Sequence, residues 1–95
     1  MSIRTMIVDD EPLAIERLQM LCAREPRIAL VGTASDGEAA LRLIEGLKPD
    51  LVMLDIAMPL LDGIGVARAV GRMGMRPAVI FVTAFEGFAV EAFDL

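Results

Sequence analysis

The chain has 95 residues, an apolar share of 56% and a net charge of −5. This length allows one domain with one core, and the composition excludes an intrinsically disordered chain. The negative charge argues against nucleic-acid binding by this chain alone, because phosphate groups would be repelled. The sequence has no histidine, which excludes histidine-based hydrolysis and most zinc sites. Any chemistry therefore falls to carboxylates.

The N-terminus shows neither a targeting signal nor a membrane anchor. It has no basic segment followed by an apolar stretch, and no run approaches the roughly 18 apolar residues of a membrane span. We therefore expect a cytoplasmic protein without membrane contact. Cys22, the only cysteine, lies within an apolar helical pattern and is predicted to be a small buried residue.

Apolar runs alternate with helical patterns along the chain. Pro12 occupies a first helical position, Ser35 and Glu38 match a capping box, and Lys48-Pro49 marks a helix end. In chain order, the predicted elements are a strand over 3–8, a helix over 12–24, a strand over 28–34, a helix from 35 to 47, a strand over 50–54, a helix over about 62–72, a strand over 78–82 and the start of a helix over 86–93.

This alternation predicts an α/β fold, a doubly wound parallel sheet with helices on both faces. The strands are continuous apolar runs, as expected when both faces of a sheet are covered. Ligands of such sheets bind beyond the carboxyl ends of the strands. Polar side chains follow three of the strands, so we expect them to meet there as an anionic pocket. They are Asp9, Asp10, Asp55 and Thr83.

Taken singly, these residues also allow purely structural interpretations. Asp9 and its acidic neighbours suit the N-terminus of the first helix, where carboxylates favour the helix dipole. Asp55 is compatible with a turn, and Thr83 with Glu86 matches a capping box. Asp62-Gly63 is typical of a turn and a helix start. It is their occurrence together, each at a strand end, that favours a functional pocket.

Four segments, in order, resemble the successive motifs of the CheY-like receiver domain of two-component response regulators. They are residues 8–12, 50–59, 62–63 and 81–84. The resemblance implies a flavodoxin-like fold of strand order 2-1-3-4-5. It also implies that a sensor histidine kinase donates a phosphoryl group to Asp55 and that the chain relays this as a conformational or dimerisation change.

Physical chemistry gives the acidic residues a common role as a magnesium site. Carboxylates at ~4 Å repel one another by roughly 4 kcal/mol per pair, a cost that a divalent cation removes. Mg²⁺ prefers a few carboxylates together with waters and phosphate oxygens. We assign Asp10 and Asp55 as direct ligands, Asp9 as a ligand through water, and the backbone carbonyl of Ala57 as a third protein oxygen.

Within this resemblance, the phosphoryl group is received by Asp55 and contacted by two further residues. Asp55 acts as the nucleophile on phosphorus. The Thr83 hydroxyl is assigned to a phosphoryl oxygen, and the small Ala84 leaves room for the group beside its backbone N–H.

The chain ends at Leu95, before the fifth strand and helix of a receiver domain. We therefore expect one receiver domain over 1–95 with strand order 2-1-3-4. The pocket lysine and the aromatic switch residue of the fifth strand are not in this sequence. A homodimer or domain-swapped oligomer is expected to supply the missing cover unless the chain belongs to a longer protein. Residues 86–95 resemble receivers fused to LytTR-type DNA-binding domains, so DNA contact would require a further domain.

Three classes of function compete. The leading one is a phosphoacceptor module, and the alternative is a pseudo-receiver, an interaction domain that does not cycle phosphate. A carboxylate-nucleophile phosphatase usually needs a second carboxylate two residues after the nucleophile, where this chain has Ala57. We therefore expect no multiple-turnover enzyme.

Overall fold

The computed structural model describes residues 2–82, in which strands and helices alternate. The elements are β1 (Ile3–Val8), α1 (Pro12–Ala23), β2 (Ile28–Ala34), α2 (Gly37–Leu47), β3 (Leu51–Leu54), α3 (Gly63–Arg72) and β4 (Ala78–Phe81). The sequence predicted each of them within a few residues. Thr83, Ala84 and the helix predicted over 86–93 lie outside the described residues. Within 2–82, no helix has the length and apolar character that a bilayer span requires.

The four strands form one parallel sheet in the order β2-β1-β3-β4. This confirms the predicted order 2-1-3-4. Val8 at the end of β1 pairs with Leu54 at the end of β3, and Leu54 pairs with Phe81 at the end of β4. The carboxyl ends of these three strands are therefore level, and the residues that follow them share one edge of the sheet.

The two faces of the sheet pack against different helices. Met6, Val8, Val52 and Leu54 form a buried cluster with the apolar side chains of α2 and α3. The alternate positions of the same strands face α1, as shown by Cys22, whose Sγ lies 3.9 Å from Met53 Sδ. Cys22 is buried, as predicted. The central strands β1 and β3 are thus covered on both sides, which makes their ends a fixed platform.

Two helix starts are capped by aspartates. Asp62 is the N-cap of α3, and its carboxylate accepts the Gly65 N–H at 2.8 Å. Asp36 is the N-cap of α2 and accepts the Ala39 N–H at 2.8 Å. The predicted capping box on Ser35 is wrong by one residue, because the cap carboxylate must reach the third N–H of a helix that begins at Gly37.

The opposite edge of the sheet is tied to the end of α2 by Arg4. The Arg4 guanidinium donates hydrogen bonds to the carbonyls of Leu47, at 2.7 Å, and Lys48, at 3.0 Å. The Arg4 N–H donates to the Asp50 carboxylate at 2.9 Å. Lys48 itself is left-handed, with φ 49°, and closes the helix. Strand β1, helix α2 and the start of β3 are therefore held by one arginine.

Replacing Arg4 by methionine should lower the free energy of unfolding by about 1–2 kcal/mol, since two helix-terminal carbonyls lose a charged donor. Urea unfolding of Arg4→Met and of the control Arg42→Met measures this. Arg42 is exposed on α2, so its replacement should change stability by less than about 0.5 kcal/mol. Equal effects of the two substitutions would refute the role assigned to Arg4.

Candidate functional site

Two of the predicted site residues leave the sheet side by side. Asp9 directly follows β1 and Asp55 directly follows β3, whose last residues are paired. The Asp55 N–H donates to the Val8 carbonyl at 2.9 Å, and the Asp9 N–H donates to the Ala34 carbonyl at 3.1 Å. The parallel ladder therefore continues one residue past the strands and fixes the backbone of both aspartates.

The carboxylates of Asp9, Asp10 and Asp55 converge. One carboxylate oxygen from each residue lies within 4.8 Å of the others. Asp9 and Asp55 are buried, with 6% and 9% of their surface exposed, and Asp10 is half-buried. The sequence predicted that these three residues would meet at one edge, and the structure confirms it.

The surroundings of Asp55 in this cluster disfavour its negative charge. Burial and the charge of Asp9 raise the pKa of Asp55 to about 6, with a smaller rise from Asp10, opposed by the N–H groups of Ala57 and Ile56. Within residues 2–82, the one ion pair joins Arg27 to Glu25. No cationic side chain of this part of the chain therefore neutralises the three carboxylates.

This donor set fits a hard divalent cation. Three carboxylates without a nitrogen or sulfur ligand are the oxygen environment that Mg²⁺ selects. Ala57 follows Asp55 in the β3–α3 loop and is itself exposed, and no N–H group within residues 2–82 donates to its carbonyl. It is therefore available as a further oxygen ligand, although its role stays a prediction.

The family of the chain is shown by its match to the model of the response regulator receiver domain over residues 5–95. The chain belongs to the response regulator receiver domain family. It is thus a regulatory module of two-component signalling. The parallel sheet in the order β2-β1-β3-β4 confirms the flavodoxin-like architecture that the resemblance predicted.

Two curated relatives are similar to this receiver domain. The positive alginate biosynthesis regulatory protein of Pseudomonas aeruginosa is 53% identical over 91 residues, which cover 95% of this chain and 37% of that protein. The transcriptional regulatory protein BtsR of Salmonella typhi is 38% identical over 94 residues, which cover 97% of this chain and 38% of that protein. The chain therefore spans well under half the length of these relatives.

Solved receiver structures share the fold. The signal receiver domain of the response regulator NarL from Mycobacterium tuberculosis superposes with a TM-score of 0.89 at 34% identity, covering 98% of this chain and 77% of that one. A complex of CheX and CheY with BeF3 and Mg²⁺ from Borrelia burgdorferi gives a TM-score of 0.83 at 28% identity, covering 93% of this chain and 66% of that one.

The start of α3 holds the backbone of Asp55 in a way that the sequence did not reveal. The Gly63 N–H donates to the Ile56 carbonyl at 2.9 Å. A Cβ on Gly63 would overlap the Asp55 carbonyl oxygen and lie 3.0 Å from the Ile56 Cα. Asp62-Gly63 was expected to be a turn and a helix start, which is correct. The receiver domain also needs a residue without a side chain there, so that α3 can approach the peptide of Asp55.

Gly63→Ala is expected to destabilise this receiver domain by about 2–3 kcal/mol, because the added methyl meets backbone that cannot move aside cheaply. Gly71→Ala is the matched control in the same helix. A Cβ at Gly71 meets nothing within 4 Å, so that substitution should be neutral or stabilise by up to about 1 kcal/mol. Urea unfolding of both variants decides the matter, and similar stabilities would contradict the close approach.

Because the pKa of Asp55 is raised, replacing this residue by a neutral one should increase the stability of the domain by an amount that depends on pH. Folding raises the pKa of this carboxyl from 3.8 to about 6. The contribution of Asp55 to stability is thus fully present below pH ~4 and is lost as the pH rises through about 6. In the absence of divalent cations, Asp55→Asn should be more stable than the wild type at about pH 8, by on the order of 1 kcal/mol after solvent screening.

The same variant should show little such gain at about pH 3.5, where Asp55 is protonated in the folded state and mostly protonated in the unfolded state. Urea unfolding at the two pH values measures the difference. Glu45→Gln, which neutralises an exposed carboxylate on α2, is the control and should give small, similar changes at both. A gain for Asp55→Asn that is independent of pH would disprove the electrostatic origin.

Proposed function

We propose that this receiver domain accepts a phosphoryl group on Asp55, from a sensor histidine kinase and with Mg²⁺ bound. One observation carries the proposal. Three carboxylates that repel one another lie within 4.8 Å at the carboxyl edge of the sheet, and Asp55, which is buried, follows the central strand β3. A bound cation would relieve this repulsion, and the same pocket would then accept the phosphoryl group.

The reaction is a transfer between two nucleophiles. A carboxylate oxygen of Asp55 attacks phosphorus while the bond from phosphorus to the donor's imidazole nitrogen breaks, and the nitrogen leaves with the electron pair. Asp55 must be ionised to attack, and with a pKa of about 6 it is mostly ionised at neutral pH. The N–H groups of Ile56 and Ala57 stabilise the charged carboxylate. The product is an acyl phosphate on Asp55.

The metal would be held by residues of this chain. We assign Asp10 and Asp55 as direct ligands, Asp9 as a ligand through water and the Ala57 carbonyl as the further protein oxygen. When bound, Mg²⁺ neutralises the carboxylates and the charge on the phosphoryl oxygens. The CheX–CheY complex from Borrelia burgdorferi contains both Mg²⁺ and BeF3, which supports a cation at the equivalent site here.

Thr83 and Ala84 complete the proposed site from the residues after β4. The Thr83 hydroxyl donates to a phosphoryl oxygen, and Ala84 leaves space for the group. Support comes from the level ends of β3 and β4, where Leu54 pairs with Phe81. The chain therefore leaves β4 at the edge of the sheet where Asp55 lies.

The proposed role is that of a signalling module and not an enzyme. A carboxylate-nucleophile phosphatase needs a second carboxylate two residues after its nucleophile, and this chain has Ala57 at that position. The pseudo-receiver alternative is less favoured, because all three acidic residues are present and converge. Phosphorylation would then change the conformation or the dimerisation of this cytoplasmic domain.

The output belongs to a longer protein. BtsR, which is more than twice the length of the matched region, is described as a transcriptional regulatory protein. We propose that the whole protein likewise regulates transcription through a LytTR-type DNA-binding domain, on the resemblance of residues 86–95. The acidic receiver itself, with a net charge of −5, would take no part in binding DNA. A homodimer of the receiver is the proposed active form.

Incubation with acetyl phosphate and Mg²⁺, followed by intact mass spectrometry, tests the proposal. We expect the mass to rise by one phosphoryl group in the wild type and not in Asp55→Asn. Asp10→Ala should need a Mg²⁺ concentration at least about tenfold higher for the same labelling, since a direct ligand is lost. Asp50→Ala alters an acidic residue at the opposite end of β3 and should label normally. An unlabelled wild type, or labelling that survives Asp55→Asn, would rule out Asp55 as the acceptor.

A further inference from the structure

The loop between β3 and α3 carries a leucine at its tip. The loop leaves β3 through Asp55 and closes on itself, because the Gly63 N–H donates to the Ile56 carbonyl at 2.9 Å. Leu60 lies on the closed loop and is fully exposed, at 106% of its reference surface. Within residues 2–82, its side chain therefore makes no apolar contact that would shield it from water.

The backbone at Leu60 is also unfavourable for a leucine. Its φ is 69°, in the left-handed region, and the Leu61 N–H donates to the Pro59 carbonyl at 2.9 Å across it. A three-residue turn with a positive central φ is the rare, strained form of γ-turn. For a residue with a Cβ, this conformation is strained; glycine avoids the strain and asparagine tolerates it better.

Packing on both sides of Leu60 fixes its outward direction. Met58 is buried in the main core, and Leu61 packs against that core. The Leu61 carbonyl oxygen would lie 2.6 Å from a Cβ placed on Gly37, so the loop is pressed against the start of α2. The loop cannot turn Leu60 inward without lifting Met58 or Leu61 out of the core. Exposure of Leu60 is therefore imposed by the fold.

We propose that Leu60 is a contact residue for the protein that delivers the phosphoryl group, and that it packs against apolar side chains flanking the donor's phosphohistidine. This inference rests on the proposed function. A protein donor must reach Asp55 from the carboxyl edge of the sheet, and the loop that begins at Asp55 presents Leu60 outside that edge. Burial of the leucine side chain against a partner is favourable, and this gain offsets the strain and exposure that the free domain carries there.

The role of Leu60 is one of donor specificity and not of chemistry. Its side chain is not among the groups that meet at the carboxylate cluster. A small phosphodonor that diffuses into the pocket therefore has no need of Leu60, whereas a protein surface that covers the edge does. This difference between two classes of donor separates a docking contact from a structural residue, which would affect both.

The experiment compares phosphoryl transfer from two donors to the wild type, Leu60→Asn, Leu60→Met and Lys48→Asn. One donor is acetyl phosphate. The other is an autophosphorylated sensor histidine kinase, chosen from a panel for its transfer to the wild-type chain. Lys48 is the matched control because it is the other non-glycine residue with positive φ within residues 2–82, and it lies at the opposite end of the sheet.

For Leu60→Asn, we expect the rate of transfer from the kinase to fall about tenfold, the usual size of a contact-residue effect. Its labelling by acetyl phosphate should stay within about twofold of wild type, and its melting temperature should not fall, since asparagine suits the left-handed backbone. Leu60→Met should transfer within about threefold of wild type, because methionine preserves an apolar contact. Lys48→Asn should behave as the wild type with both donors.

Wild-type transfer from the kinase to Leu60→Asn would overturn the inference and leave the proposed function standing. An equal loss of phosphoryl transfer from both donors would also overturn the inference, since Leu60 would then be needed for the structure of the pocket. A wild-type chain that neither donor labels would instead contradict the proposed function, from which the inference follows.

Discussion

The parallel pairing of β1 with β3 is the constraint on which the site depends. Val8 lies opposite Leu54, and the Asp55 N–H extends the ladder to the Val8 carbonyl at 2.9 Å. A shift of one residue in this register would turn one aspartate toward the other face of the sheet. Burial on both faces prevents such a shift, because Met6, Val8, Val52 and Leu54 would exchange places with the residues that face α1.

The pairing of β1 with β3 also holds the carboxylates in an energetically unfavourable arrangement in the free domain. Two buried carboxylates and a half-buried third are held within 4.8 Å, and burial with the charge of Asp9 raises the pKa of Asp55 to about 6. A strongly shifted pKa within a cluster of ionisable groups is typical of functional sites. Leu60 adds a second local cost in the adjoining loop, with its positive φ and its exposed side chain. Both costs lie at the edge where ligands of parallel sheets bind.

The sequence predicted the strands and the meeting of Asp9, Asp10 and Asp55, because apolar runs and the polar residues that end them are local features. It did not predict that Gly63 touches the peptide of Asp55 or that Leu60 has positive φ, because both depend on how α3 packs on the sheet. The sequence also did not predict that Asp36, and not Ser35, caps α2. Both residue types cap helices well, so only the geometry of the first helical turn decides between them. The predicted roles of Thr83 and Ala84 stay predictions.

Nuclear magnetic resonance titration of the Asp55 carboxyl carbon, with and without Mg²⁺, tests the central claim most directly. The account predicts a pKa of about 6 in the metal-free domain and a clear fall in that pKa when Mg²⁺ is present, since a cation favours the ionised form. An ordinary aspartate pKa that Mg²⁺ leaves unchanged would mean that Asp55 shares no charged pocket with Asp9 and Asp10, and would contradict the account.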